Sequence, residues 1–392
     1  MTSMDSGTLS VGLDARKLTD YGIGTYISSL LRGFASKPEV DLTVLARAGH
    51  EDRVAGLAPD AKILSISVRE YSVAEHYRVP AAFWRENVDI IHVPHYVVPF
   101  ALRRPVVATI HDVIQLYYPP QRRTHLALTY LRFVMSSTLS RARRVITGSL
   151  SSRGDLVKVF GADRTKVDVV PNGVDPDLER RPPVEELEEI KKRMDLRPPL
   201  ILVVANDKPH KNLDTVLRAY HLSVRTHGLP GQLVFAGGVK PDGRLARKAA
   251  GLGIGDRIRF VGRVSSADLA RLYHLSAVLL HIALYEGFGL PILEGMRVGL
   301  PVITSNVGAM QELGEGVARL VNPLDVQEVA RALERVLIDD PLRRRMIESG
   351  KVRAGKMSWE KTVDGTMAVY RKALAAPVSP EMVVGSGRGR SW

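Results

Sequence analysis

Short runs of branched apolar residues alternate along the chain with longer stretches whose apolar positions recur every three or four residues. This is the pattern of strand–helix–strand units that build parallel sheets. In the first half it predicts strands over 9–15, 42–45, 62–66, 90–93, 106–110, 144–146 and 167–170. Helices are predicted over 25–34, 75–84, 126–140 and 151–160, the last opened by a serine-rich cap. The seventh strand runs into PNGVD at 171–175, where proline followed by Asn-Gly ends both periodicities and marks a domain boundary. A Pro-rich, charged connector (DPDLERRPPVEELEEIKKRMDLRPP) follows, and the alternation then restarts. Strands are predicted over 200–205, 233–236, 258–261, 277–282, 302–304 and 319–321, with helices over 213–226, 244–251, 267–275, 291–298, 326–338 and 342–356. The expected architecture is α/β, with two doubly wound Rossmann-like domains, 1–175 and 176–357. A last amphipathic segment within 358–375 is expected to pack back on the first domain, and 376–392, rich in Pro, Ser and Gly, reads as a disordered tail. Two such sheets facing each other put strand carboxyl ends and helix N-termini along a shared cleft, where ligands bind.

Composition narrows the chemistry. A chain of 392 residues suits two domains, and 45% hydrophobic with 25% charged residues excludes disordered and low-complexity classes. With no cysteine, disulfides, thiolate nucleophiles, iron–sulfur clusters and the usual structural zinc sites are excluded together. No apolar run is long enough to span a membrane; the richest, 275–293, is interrupted by His281 and Glu286. MTSMDSGTLS at the start has neither the basic residues nor the apolar run of a secretion signal, so a cytoplasmic protein is expected.

The net charge of +13 favours anionic partners. Within 103–153 nine arginines stand against Asp112 alone, and 341–392 is the other strongly basic stretch. These are either solvated helix faces or a surface for acceptor and anionic membrane, the latter placing the protein peripherally on the inner membrane face. Nucleic acid is not an expected partner, because no aromatic-interleaved basic motif, zinc signature or helix-turn-helix accompanies the charge. A dinucleotide site is disfavoured as well, since GIGTY at 22–26 holds only the first half of Gly-x-Gly-x-x-Gly.

The most informative stretch is YEGFGLPILEGMRVGLPVITSN, 285–306, which leaves a strand, crosses a Gly-rich loop and enters a helix at Pro291. Glu286 lies in the loop and Glu294 is expected in the helix's first turn. Gly287 and Gly289 leave their N–H groups open to a phosphate or a sugar hydroxyl, assisted by the helix dipole. An early helical glutamate is also an ordinary dipole partner, so both readings stand on these residues alone.

The block EGFGLPILEGMRVGLPVITSNVGAMQELGEG resembles the signature of the retaining glycosyltransferases of family four, which have the GT-B two-domain fold. GIGTY, TIHDVIQLYYP, VITGSLSSRGDL, VPNGVD, KPHKNL and SWEKTVDGTMAVY extend the resemblance to all but the two tails and the connector. The resemblance implies that Glu294 accepts hydrogen bonds from a ribose, that Glu286 binds donor-sugar hydroxyls, and that the N–H groups of Phe288, Gly289 and Leu290 line sugar and phosphates. It implies that Lys211 neutralises a diphosphate, that His111 touches the donor sugar, and that Gly22 and Gly24 form a turn approaching the phosphates. For His111 the alternative is a satisfied core histidine, and for the glycines a plain strand-to-helix turn. Ser149 is either an acceptor or phosphate contact or a helix cap.

Two positions depart from the family. Many members carry an arginine six residues before the diphosphate lysine, where this chain has Ala205, so Lys208 or an arginine from elsewhere is expected to replace it. Gly295–Met296–Arg297 stands where small residues are usual. ANDKPHKNL and HDVIQLYYP are similar to a subgroup rich in mannosyl- and rhamnosyltransferases. The implied activity is transfer of a hexose, best mannose from GDP-mannose, to a lipid-linked or glycan acceptor, with no metal and no cofactor beyond the nucleotide-sugar co-substrate. A nucleotide-sugar epimerase or hydrolase of the same fold is the alternative.

Overall fold

The structure, a computed structural model, describes residues 8–119 and 124–375, apart from the side chain of residue 227. The tail expected at 376–392 lies outside the described residues, as do Arg122 and Arg123. The first unit runs β1 (Leu9–Asp14), α1 (Tyr21–Ala35), β2 (Val40–Arg47), α2 (Glu51–Ala55), β3 (Lys62–Ile66), α3 (Glu75–Phe83), β4 (Ile90–Val93), β5 (Val106–Thr109), α4 (Ile114–Tyr117), α5 (His125–Arg141), β6 (Arg144–Thr147), α6 (Leu150–Phe160) and β7 (Val167–Val169). The second runs α7 (Val184–Arg193), β8 (Leu200–Val204), α8 (Leu213–His227), β9 (Gln232–Ala236), α9 (Arg244–Gly251), β10 (Ile258–Gly262), α10 (Ser266–Leu275), β11 (Ser276–His281), α11 (Leu290–Val298), β12 (Val302–Ser305), α12 (Gly308–Gly314), β13 (Arg319–Val321), α13 (Val326–Ile338) and α14 (Asp340–Gly355). Helix α15 (Trp359–Ala375) closes the described chain.

The strands form a seven-stranded sheet, β3-β2-β1-β4-β5-β6-β7, and a six-stranded sheet, β10-β9-β8-β11-β12-β13. Every neighbouring pair is parallel. Helices cover both faces, so central strands such as LILVV in β8 are buried on both sides and read as nearly continuous apolar runs. This is the doubly wound α/β class that the alternation predicts. Strand order reverses between β1 and β4 in one sheet and between β8 and β11 in the other. At such points the outgoing loops diverge and leave a crevice at the strand carboxyl ends.

Helix α15 lies on the first unit, where Val363, Met367, Val369, Tyr370 and Ala373 join the core beside α1. The Tyr370 hydroxyl is 2.7 Å from Nδ1 of the buried His92.

Two local expectations are corrected. The charged connector contains helix α7, which buries Leu187 and Ile190 and carries Glu185 and Glu186 at its start and Lys191, Lys192 and Arg193 at its end, the order a helix dipole favours. Helix α1 starts at Tyr21, so Gly22 and Gly24 lie in its first turn and not in a loop. Gly24 is buried there, and a Cβ on it would strike the Leu18 carbonyl; it packs the helix start and is closed to a ligand.

Candidate active site

The loops after β8 and β11 are tied together by Asn212. This residue adopts a left-handed backbone (φ 57°) and donates from Nδ2 to the carbonyls of Ile282 (3.1 Å) and Pro323 (2.6 Å). Its Oδ1 accepts from Thr215 (2.8 Å), and the Leu284 N–H donates to the His210 carbonyl (2.7 Å). The clasp sets Lys211 against Glu286. Lys211 Nζ forms an ion pair with Glu286 Oε1, and His281 Nε2 lies 3.0 Å from the same oxygen. Burial alone would raise the Glu286 carboxyl. The Lys211 charge, with the hydrogen bond from His281, overcomes it and holds Glu286 well below the usual carboxylate range.

Beyond Glu286 the backbone is shaped by two glycines. A Cβ on Gly287 would lie 2.5 Å from the His111 carbonyl and 2.8 Å from Asp112 Cβ, so only glycine lets the two domains meet there. Gly289 has φ 99° and stands at the N-cap of α11, where no side chain caps the helix. The N-terminal N–H groups of a nine-residue helix are thus free of side-chain partners at the β8/β11 crevice. Helix α11 holds no acidic residue in its first turn, which corrects the placement of Glu294. Glu294 sits one turn later, accepts 2.7 Å from the Tyr273 hydroxyl, and is raised by burial with Tyr273 pulling the other way. A dipole partner belongs in the first turn, so Glu294 is not one; the partner the structure gives it is the Tyr273 hydroxyl.

The first domain supplies the facing wall. His111 Nε2 lies 3.2 Å from the Pro94 carbonyl. A carbonyl only accepts, so Nε2 carries the proton and Nδ1 the lone pair. Burial lowers this histidine to about 4, so the ring is neutral at pH 7. Asp112 is raised to about 6 by burial, opposed by the Ile114 N–H and by Lys211 and Lys208, while the Glu286 charge adds to the rise. Gly22 faces Leu290, whose Cδ1 is 3.7 Å from where a Cβ on Gly22 would stand. Lys208 is exposed at the rim.

Ser149 is buried with both of its hydrogen-bonding roles filled. It caps α6 by accepting from the Ser152 N–H (3.0 Å) and donates to the Gly287 carbonyl across the cleft (2.8 Å). Further struts cross beside it. The Leu150 and Ser151 N–H groups donate to the Glu312 carboxylate (3.0 and 3.1 Å), and the Tyr285 hydroxyl donates to Asp155 (2.7 Å).

Ala205 packs against the core of the second sheet and its N–H bonds the Ala236 carbonyl (2.9 Å). Ala205 is only partly buried and lines a small pocket with Lys211 and His281, so the position borders the Lys211 site and supplies no charge to it. The next residue, Asn206, has a buried, unpartnered Oδ1. A Cβ on Gly238 would lie 3.2 Å from Asn206 Cβ and 3.6 Å from the Tyr21 hydroxyl. Arg263 stacks 4.7 Å over the Tyr21 ring and donates to its hydroxyl. In the 295–297 segment, Met296 fills the core and Arg297 pairs with Glu179 (3.2 Å), a packing role.

Residues 21–178 match the family described as Glycosyltransferase Family 4, and residues 184–353 match that described as Glycosyl transferases group 1. The two matches take in nearly all of both sheets. The chain belongs to glycosyltransferase family four. It is 27% identical over 369 residues to the O-antigen chain mannosyltransferase B of Escherichia coli, covering 89% of this chain and 96% of that protein. It is 32% identical over 284 residues to the MMP alpha-(1->4)-mannosyltransferase of Mycolicibacterium hassiacum, covering 69% of this chain and 66% of that one. The crystal structure of Anabaena HepE in complex with UDP-glucose superposes with a TM-score of 0.74 at 16% identity, covering 93% of this chain and 100% of that chain, which supports the GT-B fold.

In this glycosyltransferase the structure brings together Lys211, Glu286, Gly287, Gly289, His111 and Asp112. It packs Gly24 against the Leu18 carbonyl in the start of α1 and gives Ser149 structural bonds. Sequence reasoning missed His281 and Asp112, which the structure sets beside Glu286. His281 had a signal, a histidine ending an apolar strand five residues before Glu286; Asp112 had one too, as the acid following His111.

Proposed function

We propose that this glycosyltransferase is a retaining, metal-independent enzyme that moves mannose from GDP-mannose to a lipid-linked or polysaccharide acceptor in surface-glycan synthesis. The observation that carries the reading is the Lys211–Glu286–His281 group beside the uncapped start of α11. It offers a cation and free N–H groups where a diphosphate would sit, next to a carboxylate where sugar hydroxyls would sit. The names of the mannosyltransferase relatives support the sugar, and the UDP-glucose bound to HepE supports a nucleotide-sugar donor.

In the proposed reaction the donor's C1–O bond breaks with its electron pair going to the diphosphate. The acceptor oxygen bonds to C1 from the same face, and its proton passes to the departing phosphate oxygen. Lys211 and the N–H groups of Phe288, Gly289 and Leu290 meet the growing phosphate charge, so a fixed field replaces solvent reorganisation. Glu286 stays ionised and is a weak base, suited to accepting hydrogen bonds from sugar hydroxyls and unsuited to taking the acceptor proton. Neutral His111 offers Nδ1 to a donor-sugar hydroxyl, and Glu294 has carboxylate capacity left for a ribose beyond its bond from Tyr273.

Thermal unfolding with a panel of nucleotide sugars tests the donor, since a ligand that binds only the native state raises the midpoint. GDP-mannose is expected to give the largest shift; protection by UDP-glucose but not by GDP-mannose would reject the assignment. Removing divalent metal with EDTA is expected to leave turnover nearly unchanged. A loss of about tenfold, 1.4 kcal/mol of barrier, restored by magnesium would refute the metal-free mechanism.

A further inference from the structure

Val79 and Phe83 of α3 and Leu131, Met135 and Leu139 of α5 belong to one buried cluster of the first unit. The opposite faces of the two helices are unusually apolar for solvent-facing helices. On α5, Leu126 (79% exposed), Tyr130 and Phe133 (60%) form a stripe at i, i+4 and i+7. Tyr77 (67%) and Trp84 (65%) repeat the spacing along and just past α3. Phe100 bridges the helices, its ring stacked 4.0 Å from His76 and 6.1 Å from Phe133.

The charge on this surface has one sign. Arg103 stacks 4.7 Å over Trp84, Arg141 lies 6.0 Å over Phe100, and Arg132 is exposed between the aromatics. The segments 71–84 and 94–153 contain two acidic residues, Glu75, buried on Arg16, and Asp112, in the cleft. Not all of the basic stretch takes part. Arg144 pairs with Asp168 (2.7 Å) and Arg143 donates to the Ala373 carbonyl (3.0 Å), so those two are structural.

We infer that the α3/α5 face docks on an anionic lipid surface. Tyr, Trp and Phe seat at the boundary between headgroups and acyl chains, while the arginines among them meet lipid phosphates, a combination suited to lying on a membrane. The same geometry connects the surface to the cleft. Tyr117 and Tyr118, just ahead of α5, lie 5.4 Å from Tyr285 and 5.9 Å from His210, so a docked protein presents its cleft mouth close to the lipid. Among the described residues no helix is long and apolar enough to cross a membrane, so attachment through these residues is by surface contact. This goes beyond the proposed donor chemistry and is tested without it.

The test is co-sedimentation of the full chain with vesicles of phosphatidylcholine, alone or mixed with phosphatidylglycerol. Binding is expected to the mixed vesicles, weakening as salt rises, and to fall at least about tenfold in Trp84→Ser/Phe133→Ser and in Arg103→Glu/Arg132→Glu. Unchanged unfolding midpoints identify folded variants; if the first pair misfolds, Tyr77→Ser/Leu126→Ser replaces it. Equal binding to neutral and mixed vesicles would overturn the inference. So would wild-type binding by folded variants, or a dimer in analytical ultracentrifugation that these substitutions dissolve, since the face would then be occupied by a second copy.

Discussion

Replacing Lys211 by alanine is expected to lower turnover at least about a hundredfold, on the order of 3 kcal/mol, comparable to losing one strong oxyanion donor. A departing diphosphate gains charge in the transition state, so a positioned cation stabilises that state more than bound substrate. In this chain Lys211 is the cation fixed at the β8/β11 crevice, held by the Asn212 clasp and paired with Glu286. Lys208 is exposed and Arg263 is engaged by Tyr21, so neither is placed to take over fully. Loss of Lys211 also leaves Glu286 with His281 as its remaining close partner. That carboxyl will then titrate higher, and the stabilisation its depressed value gives above the unfolded pKa will shrink. Turnover must therefore be measured well below the unfolding midpoint. Near-normal turnover in Lys211→Ala would remove the diphosphate role; a further loss in Lys208→Ala or Arg263→Ala, less than additive with the first, would show which side chain shares the charge.

Glu286→Ala is expected to depress kcat far more than affinity, while Glu294→Ala does the reverse. Glu286 lies with Lys211 where the sugar reacts, and its ionised state is enforced by its neighbours. Its hydrogen bonds to sugar hydroxyls strengthen as positive charge develops on the ring, so its removal is felt in the transition state. Glu294, one turn inside α11, would hold a ribose equally in ground and transition states, which is uniform binding and appears in KM. Steady-state constants for both variants decide this. An unimpaired Glu286→Ala enzyme, or a kcat loss confined to Glu294→Ala, would reverse the roles.

Both sheets are legible in the sequence because parallel strands covered on two faces need nearly unbroken apolar runs, and LILVV and SAVLLH are such runs. What escaped has specific causes. Helix α7 hides its stripe, Leu187 and Ile190, among prolines and charges that read as linker. The glycines in TDYGIGTY look like turn signals, yet Tyr26, Ile27, Leu30 and Leu31 bury one helical face and draw the helix back to Tyr21. At the site, the spacing of Glu286 and Glu294 was readable, but the helix start that separates first turn from second depends on the Gly289 backbone. The clasp made by Asn212 and the Glu312 strut join residues far apart in sequence and become visible only in the fold.

The central claim, glycosyl transfer with retention in this cleft, is tested most directly by following GDP-mannose with the purified protein by proton NMR, with water or a supplied glycan as acceptor. The account predicts release of GDP in step with mannose appearing first as the α anomer, or as an α-linked product, and loss of both signals in Lys211→Ala. A β product, or GDP release that persists in Lys211→Ala at the wild-type rate, would contradict it.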